Sequence, residues 1–157
     1  MDNIEIGVYI FDFDGVVCHS AVETGYVAWQ CARRLWPEDF PMEEIPDAVT
    51  RSFLDLRPYL EYGAEAIVML KLLMNGWSPE RFAVDFASHS EKCLAAVGKS
   101  KAELVAIFGG ARDALIRENT EFWLGLNHCY HESVLAIQSL LKQKKRKWVA
   151  FGESDAH

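Results

Sequence analysis

The stretch "YIFDFDGVVCHS", residues 9–20, sets Asp12 and Asp14 one residue apart at the end of an apolar run and follows them at once with Gly15. If the run is a buried strand, its two carboxylates lie close together and each raises the cost of ionising the other. At roughly 4 Å and an effective dielectric near 20, such a pair repels by about 4 kcal/mol, so a positive partner is expected to join it. Two readings are open. An Asp-Gly step between apolar runs is the strongest short signal for a β-hairpin. Against the hairpin, the returning arm "VVCHS" has only two apolar residues before helical spacing begins, and Asp12 would sit in a strand for which it has poor propensity. The other reading is a working carboxylate pair. Hard oxygen ligands at the carboxyl end of a buried strand suit a divalent cation such as Mg2+, which keeps several waters and is usually completed by a substrate phosphate. With one carboxylate as nucleophile and its neighbour as proton donor and acceptor, such a pair can carry out phosphoryl transfer in two steps through an aspartyl-phosphate.

Upstream, "IEIGVYIFDF" (residues 4–13) alternates weakly and then turns apolar on both faces, as a strand covered on both sides does. One strand ending at Phe11 is expected. From Ser20 the spacing becomes helical, with Val22, Tyr26, Trp29, Ala32 and Leu35 or Trp36 on one face until Pro37 and Pro41 stop it. A second helix is expected over Glu43–Leu56, broken at Arg57-Pro58, and a third from about Tyr59 to Met74, ended by Asn75 and Gly76. Ser78 and Pro79 open a fourth, running to near Gly98. Ser100 and Glu103 form a capping box that begins a long helical stretch to about Leu126, with Gly109 and Gly110 as a kink or join. A last helix, His131 to about Lys144, precedes the short apolar run "WVAF". Two strands so far apart must pair with each other or belong to a sheet with further members, because one strand alone cannot satisfy its backbone groups.

Composition narrows the setting. The chain has 157 residues, 50% hydrophobic and 25% charged, which suits a globular domain with a proper core. A net charge of -7 argues against the basic face that nucleic acid or anionic lipid would require. Cys18, Cys31, Cys93 and Cys129 show no CxxC spacing, so neither a disulfide framework nor a zinc ribbon is suggested, and a reducing cytoplasm fits best. The start "MDNIEIG" lacks the features of a signal peptide, and the best apolar run, "AIVMLKLLM", is interrupted by Lys71; a soluble, unexported chain is expected.

"VYIFDFDGVVCHS", residues 8–20, resembles the first motif of the haloacid dehalogenase superfamily: an apolar strand, Asp-x-Asp-Gly-Val, an apolar residue and a Ser a few positions on. The resemblance implies that Asp12 is the nucleophile and Asp14 the general acid and base. It further implies that Asp12 by its side chain and Asp14 by its main-chain carbonyl bind Mg2+, while Gly15 lets the loop turn away. Many members insert a helical cap after the first strand. "LRPYLEYGAE" and "ARDALIRENTEFWLGLNHCY" are similar to the cap and return of phosphoglycolate-phosphatase-like or β-phosphoglucomutase-like members, although His131 and Glu132 stand where such relatives carry Pro-Gly. The implied fold is α/β: a partial Rossmann-like core, consisting of a first strand and a short later one, with a large all-helical inserted cap. Residues 1–19 would be the first strand and motif loop, 20–127 the cap, and 128–157 an incomplete return to the core.

The family needs later motifs as well: a Thr or Ser, a Lys or Arg, and acidic residues completing the metal site. Only thirteen residues follow Lys144. "WVAFGESDAH" offers Ser154 for the first of these, or Glu153 and Asp155 for the last, with frayed terminal polar residues as the competing reading. The basic "KQKKRK", residues 142–147, lies before the strand and reads as a solvated helix end. Arg57 is a candidate for gripping a substrate anion. His128, Cys129 and His131 read as a helix-junction group rather than a metal cluster. The expectation is a Mg2+-dependent phosphomonoesterase acting on a small phosphorylated metabolite, truncated after its cap. Its rival is a catalytically incomplete cap fragment that serves as a binding or interaction module.

Overall fold

The fold is that of a computed structural model, in which residues 7–82, 84, 98–142 and 147–152 are described. Strand β1 (Gly7–Asp12) pairs in parallel with β4 (Lys147–Gly152), in a register that runs from Gly7 opposite Lys147 to Asp12 opposite Gly152. This pairing excludes the hairpin reading, since the residues after Asp14 do not return along β1. They turn instead, and β2 (Cys18–His19) lies antiparallel to β3 (His128–Cys129). Parallel strands cannot be joined by a tight turn and need a crossover. Helix α6 (His131–Lys142) precedes β4 and runs beside it. On β1 the exposed residues Val8 (63%) and Ile10 (75%) alternate with the less exposed Tyr9 and Phe11, so one face of this strand is open.

The chain divides into two compact units, one built from residues up to 20 and from 124 onward, the other from 21 to 123. The second unit contains helices α1 (Ala21–Leu35), α2 (Asp47–Leu56), α3 (Glu65–Met74) and α4 (Lys101–Glu118), with a 3-10 turn at Arg57–Tyr59. A short helix α5 (Thr120–Gly125) follows. Helix α3 is apolar nearly all round, and such a helix must be buried. Accordingly Ala66, Ile67, Met69 and Leu70 are fully enclosed, with α1 and α2 packed on it and α4 on α1. Trp29 meets Phe40 edge to face at 4.9 Å in the same core. The described part is thus α/β and mostly helical with few, short strands. Among the described residues no helix is long and apolar enough to cross a membrane.

Several helix boundaries differ from expectation. Helix α2 begins at Asp47, because Pro46 holds an extended conformation (φ -60°, ψ 139°) and the residue before a proline avoids the α region. Helix α3 begins at Glu65 rather than near Tyr59. Leu60 is extended (φ -86°, ψ 130°), and the Glu65 carboxylate accepts the amides of Glu61 at 2.7 Å and Tyr62 at 3.4 Å, closing the helix entry. Gly63 lies in this bend, where a Cβ would stand 2.6 Å from the Phe108 ring. The Ser100–Glu103 capping box is present, with both reciprocal bonds made. Gly109 and Gly110 do not kink or divide the helix that follows it. Two glycines weaken a helix by about 1 kcal/mol each, yet packing of Phe108, Ala111 and Leu115 on the core carries α4 through them. The break falls at Asn119 (φ -151°, ψ 71°), whose Oδ1 accepts the Phe122 amide. After Ser78, whose carbonyl accepts the amides of Arg81 and Phe82, the chain is helical from Pro79; the expected end near Gly98 lies outside the described residues.

Candidate active site at the end of the first strand

Phe11 and Phe13 pack against a small cluster of Val17, Cys18 and Ile137, while Asp12 and Asp14 are exposed. The alternation of side chains that buries the two phenylalanines therefore turns both carboxylates to solvent. Asp12 is the last residue of β1, and the bend at Phe13 carries the chain into a tight loop. The Phe13 carbonyl accepts the amides of Val17 at 3.0 Å and Cys18 at 2.9 Å, and the Gly15 amide donates to the Cys18 carbonyl at 2.8 Å. Gly15 takes φ 74°, a left-handed conformation in which a side chain is strained. A Cβ there would meet nothing within 4 Å, so the loop beside the two aspartates is open.

The loop is fastened to the chain entering α6. The Tyr130 amide donates to the Val17 carbonyl at 2.9 Å, and the Ser133 hydroxyl donates to the Val16 carbonyl at 2.6 Å. Below the loop the Cys18 and Cys129 sulfurs lie 2.8 Å apart. Burial, then the neighbouring Cys129 thiol and the Asp14 carboxylate, push the Cys18 thiol up to about 12. Nothing in the sequence joined these two cysteines, because their proximity comes from a two-residue strand pairing between distant segments.

Of the other residues singled out from the sequence, Arg57 lies in the helical unit, in the 3-10 turn, where its Nη1 donates to the Leu60 carbonyl at 3.5 Å. Its Nε is buried with no acceptor among the described residues. Ser154, with Glu153 and Asp155, lies outside the described residues. His128 and Cys129 form β3 and His131 begins α6. Among the described residues no three His, Cys, Asp or Glu side chains converge as a metal site. Asp12 at the strand end and the Asp14 carbonyl just beyond it are nonetheless hard oxygen donors, the type that a Mg2+ ion retaining several waters takes.

The helical unit holds a second concentration of charge that sequence reading passed over. Glu23, 2% exposed, accepts from Arg112 Nε at 2.9 Å and Nη2 at 2.8 Å, and from Trp123 Nε1 at 3.2 Å. The Arg112 guanidinium also lies over the Phe108 ring, 4.9 Å from its centre. These bonds compensate a buried carboxylate, which makes the group a packing element. No protein-family model, curated protein or solved structure matches this chain.

Proposed function

We propose that the chain carries a phosphomonoester hydrolase site of haloacid dehalogenase type, with Asp12 as nucleophile and Asp14 as general acid and base. The observation that carries this reading is the exposed Asp-x-Asp pair at the carboxyl end of a strand in parallel pairing, beside an open loop at Gly15. On this reading the residues up to 20 and from 124 belong to the core, those from 21 to 123 are the cap, and the substrate is a small phosphorylated metabolite. Asp12 Oδ attacks phosphorus and the ester P–O bond breaks, while protonated Asp14 gives its proton to the departing alkoxide. Asp14, now a carboxylate, takes a proton from water as that water attacks the aspartyl-phosphate, and inorganic phosphate leaves. A bound Mg2+, held by the Asp12 carboxylate and the Asp14 carbonyl, would neutralise phosphate charge.

The purified chain assayed with p-nitrophenyl phosphate is expected to show turnover that requires Mg2+. Asp12→Asn should abolish it, and Asp14→Asn should lower it by about a hundredfold or more, the scale of a general acid–base contribution. Equal rates for the parent and Asp12→Asn would refute the enzyme reading. The rival reading, a binding module without turnover, is favoured by the absence of a third converging side-chain ligand among the described residues. It predicts phosphate binding by calorimetry, with or without Mg2+, and no product formed.

A further inference from the structure

Cys18 and Cys129 are partners in the β2–β3 register, and the Tyr130 amide bonds to the Val17 carbonyl on the adjacent pair. That bond makes Cys18 and Cys129 a non-hydrogen-bonded antiparallel pair, in which Cα atoms stand about 4.5 Å apart and side chains approach most closely. That typical spacing falls inside the window of about 4.4–6.8 Å that a disulfide bridges without moving the backbone. The sulfurs are already 2.8 Å apart as free thiols. Metal binding is the competing use of such a pair, since His19 and His128 are the next partners in the same ladder. Successive residues of a strand point to opposite faces, so these imidazoles lie across the ladder from the sulfurs and cannot complete their coordination. Accordingly no such group converges among the described residues.

We infer that Cys18 and Cys129 form a reversible dithiol–disulfide site whose co-reactant is a low-molecular-weight disulfide of the glutathione class. The two thiols differ in access: Cys129 is exposed, whereas Cys18 is 1% exposed. Cys129 therefore reacts first. Its thiolate attacks the small disulfide, forming a mixed disulfide and releasing one thiolate. Cys18 then attacks the Cys129 sulfur and passes its proton to the departing small thiolate, forming the internal bond and releasing the second small thiol. In balance, two protein thiols and one small disulfide become one protein disulfide and two small thiols. The bond fixes β2 to β3 directly beneath the loop that carries Asp14, and the site stands whether or not that loop is catalytic.

The test equilibrates the full chain in graded mixtures of reduced and oxidised glutathione, quenches it in acid, alkylates it under denaturing conditions and maps unreduced peptides. One internal Cys18–Cys129 link is expected, rising and falling with the glutathione ratio from either direction, while Cys31, buried in the helical unit, remains alkylatable. Cys18→Ser should stop at a Cys129 adduct heavier by one glutathione, and Cys129→Ser should give no link to Cys18. Cys129 is exposed, so its replacement leaves packing intact and keeps the test valid even if the Cys18 variant misfolds. Both thiols free at the most oxidising ratio, a link between chains, or a link to another cysteine would overturn the inference.

Discussion

Glu23 keeps a buried carboxylate because its oxygens accept three hydrogen bonds, two from Arg112 and one from Trp123. Removing one partner from such a pair leaves an uncompensated buried charge, which costs several kcal/mol, whereas replacing both by apolar groups is often neutral. Arg112→Ala is thus expected to lower the unfolding free energy by about 3 kcal/mol, and the joint Glu23→Leu, Arg112→Leu variant should recover most of that loss. Urea denaturation followed by circular dichroism measures both; equal losses in the two variants would contradict it. The Glu23–Arg112 contact was invisible in the sequence, where Glu23 is only a polar residue in the first turn of α1 and its partner belongs to a distant helix. The contact between Cys18 and Cys129 was hidden in the same way. Asp12 and Asp14 stand out because their signal is local: an apolar run, two close like charges and a glycine within a few positions.

At the scale of the element, α3 is entered through a side chain whose charge works against its surroundings. Burial raises the pKa of Glu65 above its ordinary 4.5, with Glu61 adding to the rise, and the amides of Glu61 and Tyr62 and the charge of Lys101 offset it only in part. The folded chain therefore holds this proton more tightly than the unfolded chain does. The resulting stabilisation is fully present below pH 4.5 and is lost as pH rises through the higher folded value. Unfolding free energy measured in urea at a series of pH values should fall across that window, and Glu65→Gln should remove this part of the slope. Identical pH profiles for the two proteins would rule the explanation out. Helix beginnings were legible where the signal is chemical, as at Ser100 and Glu103. They were misplaced where a side chain's own bonds to nearby amides decide, as at Glu65, and so was the helix break at Asn119, where sequence reading had put a kink or join at Gly109 and Gly110.

The whole molecule combines two units with very different cores. Residues 21–123 enclose Trp29, Phe40, Ile67, Met69 and Leu70, whereas among the described residues of the other unit only Val17, Cys18 and Ile137 form a buried cluster. Amides of α1 and α3 should accordingly exchange with deuterium more than about tenfold slower than those of β2 and α6, as read by mass spectrometry of peptide fragments. Equal protection in both units would contradict this. An α/β chain with an early strand, a helical block and a late strand was readable from periodicity and from the need of a strand for a partner. The β2–β3 ladder was not, since two residues carry no period. One consequence of the β1–β4 register concerns the order in which a ribosome makes these segments. The aspartate-bearing strand emerges first, but its hydrogen-bonding partner is translated only after residues 13–146. Until then the strand, which carries the apolar side chains Val8, Tyr9, Ile10 and Phe11, lacks this partner and is open to chaperones and to chance pairing. Strand β1 can therefore dock only once β4 is available, so the separation in sequence sets how long its edge waits for a partner.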